Sequence, residues 1–234
     1  MSQYFRYSFI ILITALLFAC GKSYSPEDKS EGKIIYHVEY PDVSDDHFMK
    51  SFLPDEMEMV FQGKKTMNSL KAGMGTFKSD MVCNLEDSTM GQYVKVFTKK
   101  YKLLVNGKDI LPMIQREMPD YTIEKTGVTK YIADLPAEEV ILHFTEDSIP
   151  DMTFYYTSEI KIENPNWCTP FYKVPGVLLQ YEYTKYGMRM VFTAQKIEFR
   201  KIDDEIFTDF KGYKELTQDE MDEQMNEIFE SFNY

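Results

Sequence analysis

Residues 177–200, VLLQYEYTKYGMRMVFTAQKIEFR, decide the fold class of this chain. Apolar and polar side chains alternate along both halves, and Leu179, Tyr181 and Tyr183 are in phase in the first half. Period-two alternation is typical of β-strands with one buried face. Residues 185–187, Lys-Tyr-Gly, separate the two halves. The stretch therefore predicts two long antiparallel strands, 177–184 and 188–200, joined by a turn.

The second of these strands contains a break in its pattern. Met188, Met190 and Phe192 are in phase, but Ile197 and Phe199 are out of phase with them. One extra residue in a strand shifts the pattern in this way, because the next side chains then point to the opposite face. The sequence predicts a β-bulge near Ala194 and Gln195.

The same short alternating stretches recur on both sides of this segment. They are separated by Gly, Pro, Asn and Asp, which predicts a meander of antiparallel strands with few helices and therefore a mainly β (α+β) fold. The other predicted strands cover residues 34–40, 56–62, 65–72, 76–85, 90–98, 100–106, 121–125, 128–133, 139–145 and 153–159. Short helices are predicted at 46–53 and 109–118.

A longer amphipathic helix is predicted at the C-terminus. Thr217 and Glu220 have the spacing of a capping box, and a single apolar stripe follows at helical spacing. The stripe comprises Met221, Met225, Ile228, Phe229 and Phe232. The other faces of the helix carry acids, among them Asp222, Glu223 and Glu227. These acids fit either a solvated outer face or a docking surface for a basic partner.

Composition limits the domain count and the classes of partner. The chain has 234 residues, 44% of them hydrophobic, and the sequence after residue 32 shows no linker, which favours one domain over residues 33–234. Its formal net charge of -12 argues against electrostatic binding to nucleic acid or to an anionic membrane surface.

The N-terminus has the pattern of a lipoprotein signal peptide. Arg6 precedes an apolar run at residues 9–18, and this run is too short to span a bilayer as a helix. Residues 17–20, Leu-Phe-Ala-Cys, resemble a bacterial lipobox. We therefore expect residues 1–19 to be removed, Cys20 to carry the lipid anchor, and residues 20–32 to form a flexible tether. Gly21 after the cysteine favours the outer membrane by analogy with lipoprotein sorting.

Two cysteines, Cys83 and Cys168, remain after Cys20 is assigned to the anchor. An oxidising compartment favours a disulfide between them, but spacing alone does not show that their Cα atoms come close enough. The sequence leaves a disulfide and two free thiols both open.

Three segments resemble a family of exported bacterial lipoproteins. Residues 172–182, YKVPGVLLQYE, together with 190–197 and 128–133, are similar to lipoproteins of the DUF4412 and GLPGLI type, which have no established catalytic residues. The turn after Ala133 departs from the family pattern. The resemblance implies a fold like that of the lipoprotein carriers LolA and LolB, a curved antiparallel half-barrel with helices on its concave side.

The sequence contains no recognisable catalytic or cofactor motif. His37, His47 and His143 are isolated, and neither a metal-binding spacing nor a nucleotide-binding or hydrolase motif is present. We expect a protein that is not an enzyme and that uses neither cofactor nor metal. A hydrolase built on a carboxylate pair is the less favoured alternative.

One set of apolar side chains suggests a ligand-binding face. Methionines and aromatic residues recur on one face of the predicted strands, and Met is adaptable enough to contact ligands of varied shape. We interpret this face either as a concave groove for a lipid, an acyl chain or an apolar peptide, or as ordinary core. A second hypothesis is an accessory lipoprotein that docks on another envelope protein through its acidic helix or a sheet edge. The candidate face comprises Met57, Met59, Phe61, Val94, Val96, Leu179, Tyr181, Tyr183, Met188, Met190 and Phe192.

Overall fold

The computed structural model describes residues 29–44, 46, 48–208 and 210–230. Its strands are β1 (Glu31–Glu39), β2 (Glu56–Gln62), β3 (Lys65–Ala72), β4 (Phe77–Asn84), β5 (Thr89–Val96), β6 (Lys99–Asn106), β7 (Tyr121–Ile132), β8 (Leu135–Phe144), β9 (Met152–Thr157), β10 (Val177–Lys185), β11 (Met188–Phe199) and β12 (Lys214–Glu215). The helices are α1 (Ile110–Ile114) and α2 (Gln218–Glu230).

All twelve strands belong to one large, curved, open sheet. Their order is β12-β6-β5-β4-β3-β2-β1-β11-β10-β9-β8-β7. Every neighbouring pair is antiparallel except β12 and β6, which are parallel. The expected mainly β fold with a half-barrel sheet is confirmed.

The bulge expected in β11 is present. Ile35 of β1 lies opposite Lys196, whereas the next residue, Tyr36, lies opposite Ala194. Gln195 is therefore the extra residue. The inserted residue returns Ile197 and Phe199 to the apolar face, where both pack against the central core.

Several predicted elements differ in extent from those observed. Residues 121–125 and 128–133 belong to one strand, β7, whose register with β8 shifts between Lys125 and Thr129. The helix expected at 46–53 is a 3₁₀ helix, Phe48–Phe52. The helix expected at 109–118 has only five residues, because the amides of Arg116 and Glu117 bond to carbonyls three residues back.

The C-terminal helix begins as expected. The Thr217 amide donates to the Glu220 carboxylate at 2.8 Å, and the Glu220 amide donates to Thr217 Oγ1 at 3.4 Å. These reciprocal bonds are the expected capping box. Met221 and Met225 are buried against β4, β5, β6 and α1. The acids Asp219, Glu223 and Glu227 on the outer faces stay exposed.

Apolar side chains pack on both faces of the sheet. The main cores lie on the face that α1 and α2 cover, and they include Ile34, Tyr36 and Phe61 in the centre. On the opposite face, residues after β11 cover a smaller cluster of Val60, Met67, Ile202 and Phe207. The central strand β2 is thus buried on both faces, which anchors the middle of the sheet.

Some expectations concern residues outside the described part of the chain. Cys20, residues 1–19, most of the expected tether and Phe232 belong to this group. β1 begins at Glu31, two residues before the expected start of the domain. Among the described residues, no helix is long and apolar enough to cross a membrane.

Candidate functional site

A cavity of about 220 Å³ lies between the sheet and the elements that cover it. Strands β1 to β5, β10 and β11 form its wall, and α1, α2 and the loop at residues 158–176 form its cover. Met113, Ile114, Phe171 and Met225 are the main apolar side chains of the cover. An apolar cavity of about 150 Å³ is enough to bind benzene, so this cavity has room for a somewhat larger apolar group.

Methionine dominates the lining of the cavity. Unbranched thioether side chains adapt to ligands of different shape, because they have three rotatable bonds and a polarizable sulfur. Tyrosine and phenylalanine supply another eight lining residues. The lining methionines are Met57, Met59, Met81, Met90, Met113, Met188, Met190 and Met225.

Seven of the eleven residues of the candidate face meet at this cavity. They come from three separate parts of the sequence, and the order of the strands places β1 between β2 and β11, with β10 next to β11. The seven are Met57, Met59, Tyr181, Tyr183, Met188, Met190 and Phe192.

The other four residues of the candidate face lie outside the cavity lining. Phe61, Val94 and Leu179 are completely buried in packed cores, and Val96 is partly buried against α1 and α2. Alternation along a strand shows which face a side chain takes. It does not show where along that face a neighbouring element packs directly on the sheet and where space remains.

Several lining residues were not identified from the sequence. Leu70 and Met81 lie on neighbouring strands, and the register that places Leu70 opposite Ser79 aligns them along one wall. The alternation of apolar and polar side chains in β3 and β4 is the sequence signal that could have identified Leu70 and Met81. No periodic signal exists for Phe171, because it lies in a loop, or for Met113 and Ile114, because α1 has little more than one turn.

A disulfide and an asparagine hold the loop of the cover in place. Cys168 is bonded to Cys83 of β4, and their Cα atoms are 6.5 Å apart. The Asn166 side chain donates to the carbonyls of Val174 and Gly176, both at 2.8 Å. The Asn166 bonds hold the loop to itself, and the disulfide ties it to strand β4 of the sheet.

The tyrosines of the wall make well-defined polar contacts. Tyr36 donates its hydroxyl to the Leu178 carbonyl at 2.7 Å, and Tyr40 donates to the Pro54 carbonyl at 2.7 Å. Burial raises the pKa of both hydroxyls well above the ordinary value. They therefore remain protonated donors at any physiological pH, with no role as a base.

Charged groups are confined to one side of the cavity. Lys185 Nζ lies 2.7 Å from Glu117 Oε1, and the Tyr183 hydroxyl donates to the same carboxylate. Burial, and secondarily the nearby Glu117 charge, raises the pKa of Tyr183 far above its ordinary value. A shallower pocket of about 260 Å³ shares these three residues and adds Arg116 and Asp222. The apolar cavity and the polar pocket thus meet at the ion pair of Lys185 and Glu117.

The described residues contain no cluster of His, Cys, Asp and Glu that could hold a metal ion. His143 bonds to two carboxylates, with Nδ1 2.8 Å from Asp151 and Nε2 2.9 Å from Glu124. The two carboxylates bind opposite nitrogens of the ring, so this arrangement connects β7, β8 and the start of β9 rather than surrounding one ion.

Comparison with known proteins adds information on the fold. No family model and no curated protein matches the chain, so the resemblance to the DUF4412 and GLPGLI type stays a prediction. Two crystal forms of PNGF-II match with TM-scores of 0.50 and 0.51 at 14% identity, over 83% and 84% of this chain. The match spans about a third, 32%, of the PNGF-II chain.

Other solved structures match the chain with lower TM-scores. MucB matches with a TM-score of 0.33 at 8% identity, over 79% of this chain and 59% of its own. An outer membrane lipoprotein-sorting protein domain from Vibrio parahaemolyticus matches with a TM-score of 0.22 at 7% identity, over 77% and 90%. At 14% identity, the PNGF-II match shows similarity of fold alone.

Proposed function

We propose that this protein is a lipid-anchored lipoprotein of the bacterial cell envelope that binds a hydrophobic ligand without catalysing a reaction. The methionine-lined cavity between the sheet and its cover carries the proposal. A core that only stabilises a fold is packed to high density, and an apolar cavity of this volume is a cost in stability. A bound apolar group would recover the lost contacts.

The composition of the cavity lining supports binding rather than catalysis. Glu117 and Lys185 are the charged residues in the lining, and they pair with each other. The tyrosine hydroxyls are held protonated by burial. General acid and base chemistry needs a group whose pKa lies near the working pH, and burial moves the pKa of Tyr36 and Tyr40 further away from that range.

The anchor rests on the sequence of the first twenty residues. Acyl chains contribute about 0.8 kcal/mol for each buried methylene, so lipid on Cys20 would hold the protein on a bilayer. β1, the first strand, follows this segment closely, which would keep the domain near the membrane surface.

Native mass spectrometry of the protein purified from its own membranes tests the ligand. We expect an adduct of defined mass that is lost in Met190→Trp, because the larger side chain fills the cavity. Val128→Trp is the matched control, since Val128 is 51% exposed on β7 and does not line the cavity. An apo mass for the wild-type protein, with no thermal stabilisation by added lipid, would contradict the proposal.

Fractionation of cells tests the anchor separately. Wild-type protein should be found in the membrane fraction and incorporate labelled fatty acid, whereas Cys20→Ser should do neither. A Cys20→Ser protein that still pellets with membranes would show that something other than an acyl anchor holds it there.

Docking on another envelope protein is the second candidate function. Strand β7 is an edge of the sheet, and it leaves Val128 51% and Tyr131 77% exposed. Unpaired edges with apolar side chains are sites where a partner strand can add. Crosslinking in cells should then capture one dominant partner. Neutralising Asp222, Glu223 and Glu227 together would weaken that capture only if the acidic helix is the contact.

A further inference from the structure

Four lysines form a row across the sheet on the face opposite the cavity. Lys71 of β3 is paired with Lys78 of β4, Lys78 with Lys95 of β5, and Lys95 with Lys100 of β6. Leu70, the residue before Lys71, lines the cavity, so alternation places the row on the other face. Neighbouring strands are about 4.8 Å apart, which makes the row about 14 Å long. Like charges directly opposite each other destabilise a sheet, so three such pairs in succession are a cost that the fold does not require.

Protection of a sheet edge does not account for the row. Lysines on an exposed edge strand prevent that strand from pairing with other chains. Strands β3, β4 and β5 are interior strands, and even β6 is covered by β12.

The positive charge of the row is mostly not neutralised by acids. Within the described residues, Asp80 is the only carboxylate within 4.0 Å of any of the four amino groups, and it lies 2.6 Å from Lys78 Nζ. Lys95 Nζ donates to the Gly75 carbonyl at 2.9 Å, which leaves its charge in place. Strands β5 and β6 contain four lysines and no acid. Exposed charges more than about 8–10 Å away are largely screened at physiological salt, so the net charge of the chain does not describe this surface.

An exposed aromatic side chain lies at the same end of the sheet. Phe97, in the two-residue turn between β5 and β6, is 71% exposed. Its φ of +52° is rare for a bulky residue, and hairpin turns usually place Gly, Asn or Asp in that conformation. The Phe97 amide donates to the Thr76 carbonyl at 2.6 Å, which connects this turn to the one between β3 and β4. A strained backbone that holds an apolar ring in solvent points to a partner outside the chain.

We propose that this surface docks on an anionic phospholipid bilayer, with Lys71, Lys95 and Lys100 at the headgroup phosphates and Phe97 inserted among the lipids. Peripheral membrane binding combines basic side chains, which anionic headgroups attract, with apolar side chains that enter the interface. A soluble polyanion or an acidic protein would contact the lysines and leave Phe97 in water. Docking goes beyond the proposed function, because it sets the orientation of the domain and turns the cavity away from the bilayer.

Quenching of tryptophan fluorescence by brominated lipid tests the proposal through the variant Phe97→Trp. The protein is purified from its own membranes and reconstituted into two kinds of vesicle. One contains roughly three parts of brominated phosphatidylcholine to one part of phosphatidylglycerol, and the other contains the brominated phosphatidylcholine alone. The emission of the wild-type protein, whose single tryptophan is Trp167, is subtracted. Tyr131→Trp is the control, because Tyr131 is 77% exposed on β7 at the other edge of the sheet.

Phe97→Trp should be quenched on the vesicles with phosphatidylglycerol and not on those without it, whereas Tyr131→Trp should be quenched on neither. Vesicle flotation shows that each protein is bound to the vesicles. A Phe97→Trp protein that floats with the anionic vesicles but is not quenched would overturn the proposal and leave the anchor and the ligand site intact. Equal quenching of Phe97→Trp and Tyr131→Trp would do the same. Protein that floats with neither vesicle would overturn the lipid anchor of the proposed function as well.

Charge variants in the Phe97→Trp protein test the lysine row. Adding Lys71→Gln and Lys100→Gln should lower the ratio of docked to undocked domains about 30-fold, because each lysine near an anionic surface contributes about 1 kcal/mol. Quenching should then be lost. Adding Lys108→Gln and Lys201→Gln removes the same charge from exposed lysines outside the row and should leave quenching unchanged.

Thermal unfolding separates docking from stability. Lys71→Gln/Lys100→Gln removes repulsion within the row, so this variant should be at least as stable as the wild-type protein. A loss of stability that accompanies the loss of quenching would overturn the assignment of these lysines to docking.

Discussion

Cys83 and Cys168 are separated by 85 residues and bonded to each other, with Cα atoms 6.5 Å apart. Cys83 is buried in β4, and Cys168 lies in the loop that covers the cavity. The bond therefore connects the wall of the cavity to its cover. It closes a long loop of chain that contains five strands and α1.

The disulfide should contribute strongly to stability. We expect Cys83→Ala/Cys168→Ala to lose roughly 2–5 kcal/mol of unfolding free energy, because a cross-link over a long loop restricts the unfolded chain. Urea denaturation with and without reductant measures the loss. Reductant should destabilise the wild-type protein and leave the double variant unchanged. Equal midpoints for oxidised and reduced wild-type protein would contradict this expectation.

Phe61 and Met190 lie on the same face of the sheet, but they should contribute different amounts to the free energy of unfolding. Phe61→Ala should cost about 3–5 kcal/mol, because Phe61 is completely buried in a packed core. Met190→Ala should cost less than half as much, because Met190 is only partly buried and borders a cavity. Chemical denaturation of both variants measures the difference. A cost for Met190→Ala equal to that of Phe61→Ala would show that the wall is as tightly packed as the core.

Protonation of His143 should stabilise the fold. Hydrogen bonds to Glu124 and then to Asp151 raise the pKa of His143 above its ordinary value of 6.5. The charged form is thus favoured in the folded state. The resulting stability is complete below the unfolded pKa and is lost as the pH rises through the folded pKa.

Thermal unfolding of wild type and His143→Gln between pH 5 and pH 8.5 tests this expectation. The melting temperature of the wild-type protein should exceed that of His143→Gln by the largest amount at pH 5, and the difference should shrink towards pH 8.5. In NMR titrations, Glu124→Gln should lower the pKa of His143 towards 6.5. A difference in melting temperature that does not vary with pH would show that the two carboxylates act only through packing.

The capping box should set the stability of the helix that covers one end of the cavity. Thr217→Ala should destabilise the protein by about 1 kcal/mol, because it leaves the Glu220 amide without its capping oxygen. Thr217→Ser keeps the hydroxyl and should be close to wild type. Hydrogen exchange at the Met225 amide should become faster in the alanine variant alone, and equal exchange in both variants would count against the role of the cap.

The bulge at Gln195 and the helix cap at Thr217 illustrate what could be predicted from the sequence. Both depend on neighbours within a few residues, so the phase of Ile197 and the spacing of Thr217 and Glu220 are sufficient signals. The sequence did not show which residues of the candidate face line the cavity and which pack in a core. Met190 and Val96 have the same alternating pattern in the sequence, yet the first lines the cavity and the second packs against the helices. The positions of α1 and α2 decide between these outcomes.

By itself, the sequence determined which side chains share a face, because alternation along a strand requires only local geometry. It also determined that neighbouring strands would pair as antiparallel meanders, because turn residues punctuate the chain at short intervals. Only the tertiary structure decided that Cys168 meets Cys83, that a loop and two helices leave a cavity over β1 to β5, and that Tyr181 and Asn68 both line it. These features depend on contacts between residues far apart in the chain, and local sequence patterns contain no information about such contacts.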